Sequence, residues 1–171
     1  LDPAMMTNIR NLAWEALWMA DVRSRYFAHL AGKLRRTERV LALAVAISSS
    51  GTVAALLSGQ DLVGKLLALA TAVISAVLAG YKFDKRSSVA ASHARQWLEI
   101  ASEYDILWAQ VDDLKEEEIA ARHRELEKKH FPADELAIAE FQVDEKLLGT
   151  CFEEVAESRG IPESEGLLKA A

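Results

Sequence analysis

The stretch AISSSGTVAALLSGQDLVGKLLALATAVISAVLAGYK, residues 46–82, decides the fold because it holds only two charges, Asp61 and Lys65, before its last residue. An uncharged run of 21 residues, 40–60, leads up to these charges, and an uncharged run of 16 residues, 66–81, follows them. At a rise of about 1.5 Å per residue, the first run forms a helix of about 31 Å, the thickness of a hydrocarbon core. The second run reaches about 24 Å, and snorkelling of the lysines at its two ends lengthens it enough to span.

The two runs predict a transmembrane hairpin over 40–82 with a short turn around 60–62. One basic residue, Lys65, lies close to the turn, whereas seven basic residues flank the hairpin: Lys33, Arg35, Arg36, Arg39, Lys82, Lys85 and Arg86. Because basic residues favour the cytoplasmic side, both termini are expected in the cytoplasm. The alternative is a buried helix pair in a soluble bundle, but neither run carries the charged stripe typical of such helices.

Charge divides the rest of the chain. Residues 1–98 hold 12 Lys+Arg and 6 Asp+Glu, whereas residues 99–158 hold 6 and 18, so an acidic region follows a basic, apolar one. We expect an expression scar at 1–5, a cytoplasmic helix within 6–39, the hairpin at 40–82, a cytoplasmic helical region at 83–158 and a flexible tail at 159–171. One cysteine excludes an internal disulfide and fits a reducing compartment.

The flanking segments predict an all-α membrane protein that forms homo-oligomers. An amphipathic helix is expected at 8–33, and the second span is expected to continue as a long helix to about residue 130, where Phe131-Pro132 ends it. Two short helices follow, over 134–142 and 144–158. Within the long helix a heptad seam consists of His93, Trp97, Ile100, Tyr104, Leu107, Val111 and Leu114. This seam suits docking on the N-terminal helix or on another subunit, and we assign it to the oligomer interface.

A band of polar side chains lies within the spans. Ser48, Thr52, Ser58 and Asp61 are predicted to line a water-filled pore between subunits, with a face containing Ser49 as an alternative. The competing interpretation is that each hydroxyl bonds to a carbonyl of its own helix. Small residues at four-residue spacing predict close helix packing: Gly51, Ala55 and Gly59 on the first span, and Ala68, Ala72, Ala76 and Gly80 on the second.

Sequence motifs for catalysis are missing. The chain has no Gly-rich phosphate loop, and Ser-Ser-Ser-Gly does not match a nucleophile elbow. His123, Glu127 and His130 share a helix face at a spacing that can bind a metal, but a solvated surface is the preferred interpretation. We therefore predict no enzyme, no metal and no cofactor.

The stretches YFAHLAGKLRRTERVLALAVAISSSGTVAALL (26–57) and HARQWLEIASEYDILWAQVDDL (93–114) give the chain the order of parts found in one family. The chain resembles the SLATT family, the SMODS- and SLOG-associating two-transmembrane effectors of bacterial conflict systems, over about residues 7–155. The resemblance is architectural and brings no catalytic motif.

The resemblance implies a toxic pore-forming effector in antiviral defence and abortive infection, placed in the bacterial inner membrane. A nucleotide or oligonucleotide messenger from a partner nucleotidyltransferase would gate the channel, and depolarisation would cause growth arrest or death. A tetramer is the expected assembly. The anionic messenger, or anionic lipid headgroups, would bind the basic collar, defined as Arg23, Arg25, Lys33, Arg35, Arg36, Arg39, Lys82, Lys85 and Arg86. A non-conducting membrane anchor for a cytoplasmic partner is the alternative function.

Overall fold

The computed structural model describes residues 3–59 and 61–160, and it describes their side chains except at 3–8, 130–132 and 134–140. The described residues form five helices: α1 (Pro3–Leu57), α2 (Asp61–Tyr81), α3 (Phe83–Ala109), α4 (Glu116–Glu140) and α5 (Glu145–Ser158). This part of the chain contains no strand, so the prediction of an all-α fold is confirmed. Contacts divide the chain into two compact units, residues 1–29 with 91–171, and residues 30–90.

The first helix is longer than either segment predicted for it. α1 runs for 55 residues and joins the expected amphipathic helix to the first apolar run without a break. The basic step between them consists mainly of Lys, Leu and Arg, which are good helix formers. The helix ends where Gly59 adopts a left-handed φ of 74° and its N–H donates to the carbonyl of Leu56 at 3.2 Å. Glycine tolerates this conformation without a Cβ clash.

A bend separates the second apolar run from the helix that follows it. Lys82 has a φ of 51° and is the single residue between α2 and α3, which were expected to be one continuous helix. The left-handed conformation costs a non-glycine residue about 1–2 kcal/mol. Stacked side chains flank the bend, since the rings of Tyr81 and Phe83 lie 4.3 Å apart and Arg86 lies 4.5 Å from the Tyr81 ring.

The prediction of a long helix that reaches residue 130 is wrong, because α3 ends at Ala109. A turn occupies 110–115, where the N–H groups of Asp113 and Leu114 both donate to the carbonyl of Gln110. Aspartate favours such turns over a helix interior because its side chain competes for backbone hydrogen bonds. The turn starts a separate helix, α4, in which Ile119 and Leu126 are buried.

The predicted stop at Phe131-Pro132 is also wrong, since α4 continues through both residues to Glu140. Proline removes one helical hydrogen bond, so packing has to compensate if the helix continues. Ala133, directly after the proline, is buried, which is consistent with packing that keeps this part of α4 helical.

The unit made of residues 1–29 and 91–171 contains the main core. Its largest fully buried side chains come from α1, α3, α4 and α5: Trp97, Tyr104, Leu17, Leu107, Ile119, Val22, Val155 and Cys151. The start of α5 is attached to α1, because the N–H of Asp144 donates to the Tyr26 hydroxyl at 3.0 Å. The Asp144 side chain in turn caps α5 by accepting from the N–H of Leu147.

The unit at residues 30–90 has a different character, because few of its described residues are buried. These are Ala31, Leu34, Ser48, Ala55, Gly64, Phe83, Ser87 and Ala90. The apolar side chains that a soluble unit of this size would place in a core are instead on its surface.

Candidate membrane hairpin

Two helical segments are long and apolar enough to cross a membrane. They lie within 9–57 and 61–109. Each contains an apolar stretch of 18 residues, of which only 11% in the first segment and 6% in the second is buried inside the chain. Leu57 is 85% exposed and Leu62 is 72% exposed. An exposed apolar patch of this extent indicates a lipid or protein contact, because water alone would not favour it. The two predicted apolar spans are therefore present as helices.

The two spans approach each other closely near their turn. A Cβ built on Gly64 of α2 would lie 3.0 Å from Cδ2 of Leu56 on α1, and one on Gly51 would lie 3.2 Å from Cδ1 of Leu67. Ala55 is also buried on this side of α1. Two of the small residues predicted to pack on the first span, Gly51 and Ala55, therefore leave room for the second span. Small residues at such contacts let helix backbones approach.

The small-residue stripe of the second span lies elsewhere. Ala68, Ala72, Ala76 and Gly80 are all exposed, and a Cβ on Gly80 would meet nothing within 4 Å. This stripe does not contribute to the described packing within the chain, so it remains open to lipid or to another helix.

The hydroxyls of the predicted pore-lining band all donate to carbonyls of their own helix. Ser48 Oγ donates to the carbonyl of Ala44 at 2.6 Å, and Thr52 Oγ1 donates to that of Ser48 at 2.7 Å. Ser58 Oγ donates to the carbonyl of Ala55 at 3.0 Å. Ser49 and Ser50 bond in the same way. Each hydroxyl keeps acceptor capacity toward water, so these bonds leave the pore-lining assignment a prediction.

Exposure differs along this band. Ser48 is buried inside the chain, Thr52 is half-buried, and Ser58 and Asp61 are exposed. Of the predicted set, Thr52, Ser58 and Asp61 therefore keep accessible surface in the single chain.

The basic collar divides between the two units. Lys33, Arg35, Arg36, Arg39, Lys82 and Lys85 are exposed in the unit at 30–90, where Arg86 is half-buried. Arg23 and Arg25 belong to the other unit and contribute to its packing. Arg23 lies 4.6 Å from the Trp97 ring, and Arg25 donates to the carbonyl of Glu154 and to the Ser158 hydroxyl. Seven collar members thus lie in the unit at 30–90 and two in the other unit, and the binding role of all nine stays a prediction.

The heptad seam is buried within one chain, which is the first of the two packings considered for it. His93, Trp97, Ile100, Tyr104, Leu107 and Val111 are buried, and Leu114 is half-buried. The ring of His93 lies 5.2 Å from that of Phe27 on α1. The seam is covered by α1 and α4 within the single chain, so an interface between subunits at the seam would require it to unpack; the assignment to such an interface stays a prediction.

The histidine proposed for a solvated helix surface lies in the core. His123 is buried, its Nδ1 lies 3.3 Å from the Tyr104 hydroxyl, and its Nε2 lies 3.7 Å from Glu127. Burial, and to a smaller extent the charge of Glu127, raise the pKa of Tyr104 to about 12. The side chain of His130, the third member of that motif, lies outside the described residues.

An ion-pair cluster at the end of α5 has no signal in the sequence. Arg159 bonds to Asp21 of α1 and to Asp105 of α3, both at 3.1 Å. It was the first residue of the predicted flexible tail, yet only 20% of its side chain is exposed. Residues 161–171 of that tail lie outside the described residues. Asp21 and Asp105 lie 138 and 54 residues away from Arg159 in the chain, so no local sequence pattern reveals these ion pairs.

No protein-family model matches the chain, and no curated protein or solved structure is significantly similar to it. The resemblance to SLATT effectors therefore stays a prediction based on the two quoted stretches.

Proposed function

We propose that the chain is a two-span membrane effector that conducts ions after self-association. The observation that carries the proposal is the exposure of the apolar hairpin: only 11% of the apolar stretch in its first helix and 6% of that in its second is buried. Placing this surface in water would cost about 25 cal/mol per Å² of apolar area, whereas lipid accommodates it. The basic residues at both ends of the hairpin fit a location of both termini on the cytoplasmic face of a bacterial inner membrane.

Conduction requires several copies, because one hairpin of two helices encloses no channel. The exposed stripe Ala68, Ala72, Ala76 and Gly80 supports close packing with a helix of another copy. In a tetramer assembled this way, Thr52 and Ser58 face water and Asp61 lies at the outer mouth. The acidic region at 99–158 would attract cations toward the inner mouth.

The proposed signal is an anionic nucleotide or oligonucleotide made by a partner nucleotidyltransferase. The exposed lysines and arginines at 33–39 and at 82–85 support such binding through their charge and through bidentate guanidinium contacts. Anionic lipid headgroups share this chemistry and compete for the same surface.

A passive membrane anchor is the second candidate, and the hydroxyl bonds favour it. Every serine and threonine hydroxyl between residues 48 and 58 donates to a carbonyl of α1, as expected for helices that only have to pack in lipid. An anchor predicts membrane insertion without current.

The deciding experiment is current measurement on the purified protein in planar bilayers. We expect discrete currents that Thr52→Leu and Ser58→Leu reduce, because leucine removes the hydroxyl and narrows a pore. Ser50→Leu is the matched control for Thr52→Leu, since the Ser50 hydroxyl is also bonded within the helix but lies two residues away, on nearly the opposite face. Silent bilayers with verified insertion would favour the anchor, and currents unchanged by all three variants would reject this pore lining.

The signal is tested in the same bilayers with short oligonucleotides and cyclic nucleotides. Combined Arg35→Gln, Arg36→Gln and Arg39→Gln substitutions should abolish any response to nucleotide while leaving the basal current. A response that survives these substitutions would place the messenger elsewhere. Cosedimentation with phosphatidylglycerol vesicles measures the contribution of lipid headgroups separately.

A further inference from the structure

Three side chains of metal-ligating types converge where α5 packs on the N-terminal part of α1. They are His29, Cys151 and Glu154, and their ligand atoms all lie within 4.8 Å of one another. His29 Nε2 lies 3.0 Å from Glu154 Oε2. All three residues belong to the unit of residues 1–29 and 91–171, so the cluster is independent of the membrane hairpin.

The helices hold these groups in position without a metal. Cys151 and Glu154 are three residues apart on α5, which places them on one helix face. The carbonyl of Glu154 accepts from Arg25 of α1 at 3.3 Å, and the backbone of Asp144 is held by Tyr26 at 3.0 Å. The site is therefore preorganised by the same contacts that attach α5 to α1.

The spacing fits a tetrahedral ion after small side-chain movements. Bonds of about 2.3 Å to sulfur and about 2.0 Å to nitrogen and oxygen place the ligand atoms about 3.3–3.7 Å apart. His29 Nε2 and Glu154 Oε2, now 3.0 Å apart, have to separate slightly. The Cys151 sulfur, which lies within 4.8 Å of both ligand atoms, has to move closer to them.

Charge balance also favours a divalent cation. A Cys151 thiolate and the Glu154 carboxylate supply two negative charges, and neutral His29 adds none. The guanidinium of Arg25 is directed to the Glu154 carbonyl, to the Ser158 hydroxyl and to Asp21 at 3.5 Å, so the carboxylate oxygens of Glu154 are not its partners.

Cys151 is the buried member of the cluster. Burial, followed by the charge of Glu154, raises the pKa of Cys151 to about 11, and Arg25 lowers it only in part. Its side chain is fully buried, whereas the His29 and Glu154 side chains are 47% and 36% exposed. Solvent can therefore reach the cluster from the side of the histidine and the carboxylate.

We propose that His29, Cys151 and Glu154 bind one divalent ion of the zinc class, with water as the fourth ligand. Thiolate and imidazole select zinc or cobalt over magnesium and calcium, which prefer all-oxygen sites. On binding, the Cys151 S–H bond breaks, the sulfur keeps the electron pair and donates it to the metal, and the proton passes to solvent. The ion would connect α1 to α5 and stabilise this unit.

The test is a titration of the tag-free, metal-stripped full chain in detergent with Co²⁺. We expect one equivalent to produce a thiolate-to-cobalt charge-transfer band and the strong visible bands of tetrahedral cobalt, and one equivalent of Zn²⁺ to abolish both. Zn²⁺ should also slow alkylation of Cys151 by iodoacetamide and raise the melting temperature, whereas Mg²⁺ should do neither. Failure of Co²⁺ to produce the charge-transfer band overturns the proposal.

Variants identify the ligands. Cys151→Ser should abolish the charge-transfer band, and His29→Gln, an exposed position whose change spares the fold, should weaken zinc affinity by about tenfold or more, since even outer-shell losses cost about 10- to 100-fold. Glu154→Gln should weaken affinity similarly, while its exposed neighbour Glu153→Gln should not. A band that persists in Cys151→Ser, or an affinity unchanged in His29→Gln, overturns the site.

Discussion

At the scale of single residues, Arg159 determines how the last helix is attached. Its guanidinium contacts carboxylates from two other helices, Asp21 on α1 and Asp105 on α3, and lies 5.9 Å from the Trp14 ring. Because the side chains of Arg159 and Asp21 are only 20% and 16% exposed, water screens this ion pair less than it screens pairs on the open surface, whereas the Asp105 side chain is 52% exposed.

We expect Arg159→Gln to lower the free energy of unfolding by about 1–2 kcal/mol, because a charge-assisted network of this kind exceeds an exposed pair. Arg10→Gln is the control, since it breaks the pair of Arg10 with Asp112 at 2.9 Å, whose side chains are 43% and 84% exposed. That variant should lose less than about 1 kcal/mol. Chemical denaturation followed by tryptophan fluorescence compares them, and equal losses would contradict the role given to Arg159.

Tyr104 makes the same unit sensitive to alkaline pH. Burial, with the charge of Glu127 as a smaller cause, raises the pKa of Tyr104 from 10.0 to about 12. The folded state therefore favours the protonated phenol. This contribution is fully present below the unfolded pKa and is lost as the pH rises from about 10 through about 12.

We predict that Tyr104→Phe flattens the fall of stability between about pH 10 and 12, because the titrating group is gone. The variant also loses the contact with His123, which lowers stability at every pH without creating a slope. Denaturation at several alkaline pH values, together with tyrosinate absorbance, measures both effects. Identical slopes in the two proteins would show that Tyr104 does not titrate in this range.

At the scale of elements, the contact between α1 and α2 depends on a residue without a side chain. A Cβ on Gly64 would lie 3.0 Å and 3.1 Å from two side-chain atoms of Leu56, and Gly64 is buried. A larger side chain there has to displace Leu56 or separate the two helices. Gly80, on the same helix, has open space around it.

We expect Gly64→Val to destabilise the hairpin by about 1–3 kcal/mol, the usual cost of overpacking. Gly80→Val is the matched control, because it has the same helix propensity change and no steric clash. Thermal unfolding in detergent, followed by circular dichroism, should show a lower melting temperature only for the first variant. A similar decrease of the melting temperature in both variants would indicate that helix propensity, and not the contact between α1 and α2, determines the effect.

At the scale of the whole molecule, the proposed membrane hairpin predicts one orientation in the membrane. Seven basic residues flank the spans and one lies near the turn, so the turn should face away from the cytoplasm. Asp61 is exposed at the start of α2, and Ser102 is exposed on α3. The two positions should therefore be on opposite sides of the bilayer.

We predict that, in a Cys151→Ser background, Asp61→Cys reacts with a membrane-impermeant maleimide in intact bacterial cells. Ser102→Cys should react only after the cells are permeabilised, because it lies on the cytoplasmic side. Labelling of Ser102→Cys alone in intact cells would reverse the topology. Labelling of both only after permeabilisation, in protein recovered without detergent, would support the soluble alternative.

Local sequence was sufficient for the helical class and for the two apolar spans. A helix satisfies the backbone hydrogen bonds of a run of 21 uncharged residues within the run itself, without a partner strand. Heptad spacing likewise identified five buried residues of α3, and buried Val111 in the turn after it, since periodicity reports which face of a helix avoids water.

Periodicity does not report the partner of that face, and here only the tertiary structure decided it. The seam packs on α1 and α4 of the same chain because α3 ends at Ala109 and α4 returns to cover Tyr104. The ion pairs of Arg159 and the cluster of His29, Cys151 and Glu154 join residues separated by up to 138 positions. Such contacts depend on how the helices pack, and no short stretch of sequence contains that information.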